Sequence, residues 1–211
     1  MSAVGIFGGT FDPVHYGHLR AALEVKECFG LEDFRLLPAG TPLLRGTPGA
    51  AAEHRLAMLQ LAASIYPEFR VDDREIRRGG CSYMVDTLAE IRREQGNVPV
   101  LLVIGQDAAN ALDSWHEWQQ LFELSHLVVM RRPDSTVRYS ETLQQEMRQR
   151  LVTETGQLLD SAAGFVYPQE ITQLDISATA IRHMLKSGRS PGYLMPDVVI
   201  EYIHRNGLYQ A

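Results

Sequence analysis

Apolar residues fall along this chain in two rhythms. Short, mainly apolar runs recur at Ala3–Phe7, Phe34–Pro38, Pro99–Ile104 (PVLLVI) and His126–Met130, each ended by glycine, proline or a charged residue. All four read as strands, and the continuous run at Pro99–Ile104 is expected of a central parallel strand covered on both faces. Shorter runs at Phe69–Asp73, Phe165–Tyr167 and Thr172–Asp175 read as further strands. Between them the spacing predicts helices over Leu19–Phe29, Glu53–Ile65 (Leu56, Leu59 and Ala63 facing the core), Tyr83–Gln95, Trp115–Leu124 and Glu141–Thr155. Gly30 and Gly96 stand where helices stop. Near the end, Ser177 is placed to cap Ala178–Lys186, and Pro196 to open Asp197–Arg205. Ala39–Ala50 is a Gly/Pro/Thr-rich loop, and Arg74–Cys81 is basic and glycine-containing.

Strands alternating with helices imply an α/β fold: a doubly wound, Rossmann-like parallel sheet with helices on both faces. The expected organisation is a single domain over 1–211, with 176–211 a small C-terminal helical portion packed on it. In such sheets ligands bind beyond the carboxyl ends of the strands.

Composition narrows the function. With 20 basic against 26 acidic residues the net charge is -6, against the basic excess of a general nucleic-acid binder. A small anionic ligand needs only a local basic pocket. No run of 18 apolar residues is present, and no basic stretch leads into an apolar segment at the N-terminus, so neither a membrane span nor a signal peptide is expected. Cys28 and Cys81 match no metal or redox spacing and are expected as buried thiols in a reducing cytoplasm.

The chemistry concentrates in Gly8-Gly9-Thr10-Phe11-Asp12-Pro13-Val14-His15-Tyr16-Gly17-His18. A helix starting near Gly17 leaves its first N–H groups unpaired, which with its dipole makes an anion site. Gly8 and Gly9 let the backbone approach a ligand, and Gly17 leaves space between two imidazoles three residues apart. The glycines do not follow G-x-G-x-x-G, and the chain has no G-x-x-x-x-G-K-[ST]. No Cys–His cluster or H-E-x-x-H accompanies the histidines to suggest zinc.

GGTFDPVHYGH resembles the signature of the H-x-G-H nucleotidyltransferases, and Ile176–Arg182 (ISATAIR) resembles their second motif. Gly105-Gln106-Asp107, Ser82-Tyr83 and Trp115 are similar to the bacterial nicotinate mononucleotide adenylyltransferases. The resemblance implies transfer of the adenylyl group of ATP to nicotinate mononucleotide, giving nicotinate adenine dinucleotide and pyrophosphate in NAD biosynthesis. It implies His18 donating to the α-phosphate, His15 holding the phosphates, and N–H groups of Thr10 and Phe11 completing the cradle. Ser177, Thr179 and Arg182 suit the outer phosphates, while Gly105 belongs to the ATP site. Asp107 is either a solvated helix start or, by analogy, a ribose acceptor; Trp115 is either core or the ring that stacks on the pyridine. Ser82, Tyr83, Met84, His116, Arg45 and Arg132 complete the acceptor side. Mg2+ is expected to arrive with ATP, since the sequence offers no carboxylate cage. Two positions depart from the family: Leu44 stands for a histidine and Met84 for a threonine. Acceptors left open are nicotinamide mononucleotide and phosphopantetheine, and a non-catalytic nucleotide-binding regulator is the alternative of another class.

Overall fold

The computed structural model describes residues 3–42, 46–131, 136–172 and 174–210. Arg45 and Arg132, with the Leu44 departure, lie outside the described residues.

Six strands form one parallel sheet: β1 (Val4–Gly9), β2 (Asp33–Pro38), β3 (Phe69–Val71), β4 (Val100–Gly105), β5 (His126–Arg131) and β6 (Val166–Glu170). Their order is β3-β2-β1-β4-β5-β6, that of a doubly wound sheet whose winding reverses between β1 and β4. Ile6 pairs with Leu102 across that switch. Val100 to Val103 are fully buried, as the apolar run demands. β6 carries Pro168, which donates no ladder hydrogen bond, and accordingly lies at the sheet edge.

The helices are α1 (Tyr16–Phe29), α2 (Ala52–Ser64), α3 (Arg74–Arg78), α4 (Met84–Gln95), α5 (Gln106–Asn110), α6 (Leu121–Leu124), α7 (Glu141–Arg150), α8 (Thr155–Leu159), α9 (Ala178–Lys186) and α10 (Asp197–Arg205). The chain forms two compact units. The first comprises Met1–Gly8, Glu24–Arg35 and Tyr83–Thr172; the second comprises Gly9–Leu23, Leu36–Ser82 and Gln173–Ala211.

The first unit is built on β4 and β5. Arg92 of α4 ties its loops by donating to the carbonyls of Gly96, Val98, Leu124 and Ala162. In the second unit α2 and α10 meet where His54 Nδ1 lies 3.0 Å from the Tyr202 hydroxyl.

Several elements differ from the sequence pattern. The helix expected over Glu141–Thr155 stops at Arg150, because Val152 N–H bonds to Val166 O and draws the chain against the sheet. Trp115–Leu124 is not one helix. Trp115 is extended between two 3-10 turns, Leu112–Ser114 and Trp118–Gln120. The described residues of Thr172–Asp175 are not strand; Thr172 N–H bonds instead to Glu24 Oε2. The basic stretch after β3 holds a short helix, α3. On α2 the inward face carries Arg55 beside Met58 and Leu59, with Leu56 only half-buried. Cys28 and Cys81 are both exposed, against the expectation of buried thiols.

Candidate active site

The second unit brings the glycine turn and the late motif together. After β1 the chain passes through Phe11, a buried non-glycine residue with φ 49°. A Cβ on Gly9 would stand 3.1 Å from the Phe11 ring, and that ring meets His18 edge-on at 5.1 Å. His15 O receives N–H groups of His18 and Leu19 at the mouth of α1. The His15 and His18 rings stack at 3.7 Å, with His15 buried and His18 half-buried. Gly17 lets the rings pack closely here: a Cβ would fall 3.0 Å from His15 Nδ1 and push that ring aside.

One hydrogen bond fixes the chemistry of His18. The backbone N–H of His15 donates to His18 Nδ1 at 3.3 Å. A ring nitrogen that accepts carries no proton, so the neutral ring bears its hydrogen on Nε2. The local fold thus favours the tautomer whose ring donor is Nε2–H.

The late motif is anchored to the same turn. Ser177 caps α9 by accepting from Ala180 N–H. Arg182 Nη2 donates to Thr179 Oγ1 at 3.3 Å, while Nη1 donates to Asp12 O at 2.7 Å. Arg182, with Thr179 bonded to it, is therefore joined to the glycine turn, residues 170 apart meeting directly.

Sequence reasoning missed the residues that hold this turn. Arg55, 1% exposed, donates to Thr10 O, Ala39 O, Gly40 O and Ala50 O. Burial pushes its guanidinium below the ordinary arginine range, and the Asp12 charge opposes that shift. The Asp12 carboxylate accepts from Gly49 N–H, Ala50 N–H and the Tyr209 hydroxyl. Asp12 lay inside the recognised motif and was a findable signal. Arg55 had only its place on the inward face of a helix, and Tyr209 had none.

Ser82 is committed locally: its Oγ accepts from Gly40 and Thr41 N–H groups, fixing the start of the 40–50 loop.

The first unit places the remaining residues. A Cβ on Gly8 would stand 2.8 Å from Met84 Cε, so this glycine accommodates that methyl. Over Gly8 and Gly9 the space is therefore taken by Met84 and Phe11 rather than left open. Gly105 ends β4 and caps α5, with nothing near its missing Cβ; Asp107 is exposed in the first turn of α5. Tyr83 precedes α4, whose N-terminus no side chain caps. The Tyr83 and His116 rings lie 4.3 Å apart, and Trp115 is half-buried. Trp115 backbone N–H is bonded to Leu112 O. Gln106, buried, accepts from Arg131 and donates to Asn110 and Tyr139. Among the described residues no group of three or more His, Cys, Asp or Glu side chains is arranged to hold a metal ion. Among the same residues no helix is long and apolar enough to cross a membrane.

A reversing parallel sheet, with paired histidines at a helix mouth and a second helix start beside them, defines a nucleotide-handling α/β protein. The chain belongs to the cytidylyltransferase-like family, whose model matches residues 6–184. It is 51% identical over 207 residues to a probable nicotinate-nucleotide adenylyltransferase of Methylococcus capsulatus, covering 98% of this chain and 99% of the relative. A protein of the same name from Pseudomonas putida is 44% identical over 209 residues, with 99% and 95% covered. The fold is that of a solved Plasmodium falciparum nicotinic acid mononucleotide adenylyltransferase complexed with NaAD (TM-score 0.75, 17% identity, 99% and 98% covered).

Proposed function

We propose that this chain is a nicotinate-nucleotide adenylyltransferase, moving the adenylyl group of ATP to nicotinate mononucleotide in NAD biosynthesis. The observation that carries this reading is the tie between motifs: Arg182 of α9 bonded to Asp12 O of the histidine turn. The named relatives, similar across nearly their whole length, support the same reaction.

The acceptor's phosphate oxygen attacks the α-phosphorus; the bond from that phosphorus to the bridging oxygen breaks, and pyrophosphate leaves with the electron pair. The nucleophile is already an anion, so positioning and charge stabilisation suffice. His18 donates from Nε2–H to the α-phosphate oxygens as charge builds. His15, with the N–H groups of Thr10 and Phe11, holds the phosphates beside it. Ser177, Thr179 and Arg182 take the outer phosphates. Gly105 borders the nucleotide, and Asp107 accepts from ribose hydroxyls. Trp115 stacks on the pyridine, with Tyr83 and His116 beside it. The uncapped start of α4 at Met84 offers N–H groups to the nicotinate carboxylate. Ser82 acts through the loop it fixes, and Arg45 and Arg132 add positive charge for the acceptor's phosphate. Mg2+ enters as part of the MgATP substrate, keeping several waters. We place the reaction in the cytoplasm, where exposed thiols such as Cys28 and Cys81 stay reduced.

The test is steady-state pyrophosphate release with nicotinate and nicotinamide mononucleotides at fixed MgATP. The amide sets an NH2 donor against a pocket donor, and two such mismatches give a preference on the order of 100-fold for the acid. Equal efficiencies would reject the carboxylate reading, and no pyrophosphate release with either would reject the enzyme.

A further inference from the structure

Tyr209 lies 197 residues from Asp12 in sequence, yet its hydroxyl donates to Asp12 Oδ1 at 2.6 Å. Its backbone is left-handed, φ 59°, a conformation a tyrosine keeps only where its surroundings hold it. Both Tyr209 and Arg182 lie over Gly49. A Cβ at Gly49 would stand 3.0 Å from Tyr209 Cε1 and 3.2 Å from Arg182 Cδ. Gly49 N–H donates to Asp12 Oδ2, and Arg182 Nη1 to Asp12 O, with Nη1 also 3.5 Å from Oδ2. Asp12 is thus a shared post: Oδ1 receives the Tyr209 hydroxyl and Ala50 N–H, Oδ2 receives Gly49 N–H, and its main chain receives the arginine.

We propose that Tyr209 is a positioning residue for the triphosphate. Through Asp12 and the ring contact over Gly49, it sets where Arg182 presents its remaining N–H donors. The proposal rests on the reading that Arg182 binds ATP phosphates. The chemistry follows from the geometry. Without the hydroxyl, Asp12 loses its short charge-assisted bond and keeps only the Gly49 and Ala50 N–H groups on its oxygens, so more of its charge is left to draw in the guanidinium 3.5 Å away. A guanidinium drawn fully onto Asp12 has fewer donors left for a phosphate.

Tyr209→Phe keeps the ring and removes the bond. The expected result is a KM for ATP raised about 5-fold, with the KM for the mononucleotide changed by less than about 2-fold. In an Arg182→Ala background the same substitution should alter the ATP KM by less than about 2-fold, because the residue it acts through is gone. An unchanged ATP KM, an equal rise for both substrates, or a full 5-fold effect persisting without Arg182 each overturns the proposal. Calorimetric titration of ATP into both proteins reads the same shift without turnover. A wild-type chain that binds ATP but releases no pyrophosphate therefore rejects the enzymatic reading while still deciding this one.

Discussion

Replacing Arg55 by methionine should be among the most damaging single changes in the second unit. The side chain is 1% exposed and reaches four carbonyls, of Thr10, Ala39, Gly40 and Ala50, at 2.6–3.2 Å. Methionine fills much of the volume and donates nothing. Each abandoned buried acceptor costs roughly 1–3 kcal/mol, and the lower end applies because Thr10 and Gly40 are only half-buried and water can reach them. Four acceptors then give about 4 kcal/mol, within the ~3–5 kcal/mol seen when one member of a buried charge pair is removed. Loss of the desolvation cost carried by the buried guanidinium is already included in such net values. For a chain of this length about 4 kcal/mol lowers the melting temperature by roughly 8–16 °C. Arg55→Lys should fall between, since one ammonium cannot span four carbonyls in the fork geometry of arginine. Thermal and urea unfolding of the three proteins, with turnover measured well below each midpoint, checks both stability and site. A methionine variant within about 1 kcal/mol of wild type, or a lysine variant equal to it, would refute the view that these bonds hold the turn.

His18→Ala should fold normally and lose about 100- to 1,000-fold in turnover, as for removal of one preorganised transition-state donor; near-wild-type pyrophosphate release would remove His18 from the chemistry. Alkaline stability tests the Tyr209 bond. Burial, then the hydrogen bond to Asp12, pushes the Tyr209 phenol well above its ordinary value of 10.0. The unfolded chain loses that proton first, so the contribution is complete below pH 10.0 and declines as pH rises beyond it. The stability advantage of wild type over Tyr209→Phe should therefore be constant from neutrality to about pH 10 and shrink above it. A difference that stays flat to strongly alkaline pH would show that the hydroxyl is not buried in this bond.

Local signals made much of this protein readable in advance. The run at Pro99–Ile104 pointed to a strand covered on both faces, and the strand-helix alternation implied the doubly wound sheet. Ser177 capped α9 where its side chain said it would, and Gly30 and Gly96 ended helices with left-handed backbones. His15, Gly17 and His18 sit within one turn, so their juxtaposition follows from helix geometry alone.

Tertiary structure decided what local rules cannot weigh. Glu141–Thr155 looked like one helix by spacing, but the bond from Val152 N–H to Val166 O ended it at Arg150. Trp115 followed the helical pattern yet is extended, its N–H taken by Leu112. The support of the active turn was the least legible part. Arg55 reaches Thr10 across 45 residues, Asp12 reaches Gly49 across 37, and Tyr209 reaches Asp12 across 197. A buried arginine or a tail tyrosine carries no pattern of its own, because its value depends on carbonyls and carboxylates that only the folded chain brings within hydrogen-bonding distance. Sequence periodicity records which face of an element is buried; it does not record which distant polar groups wait there to be satisfied.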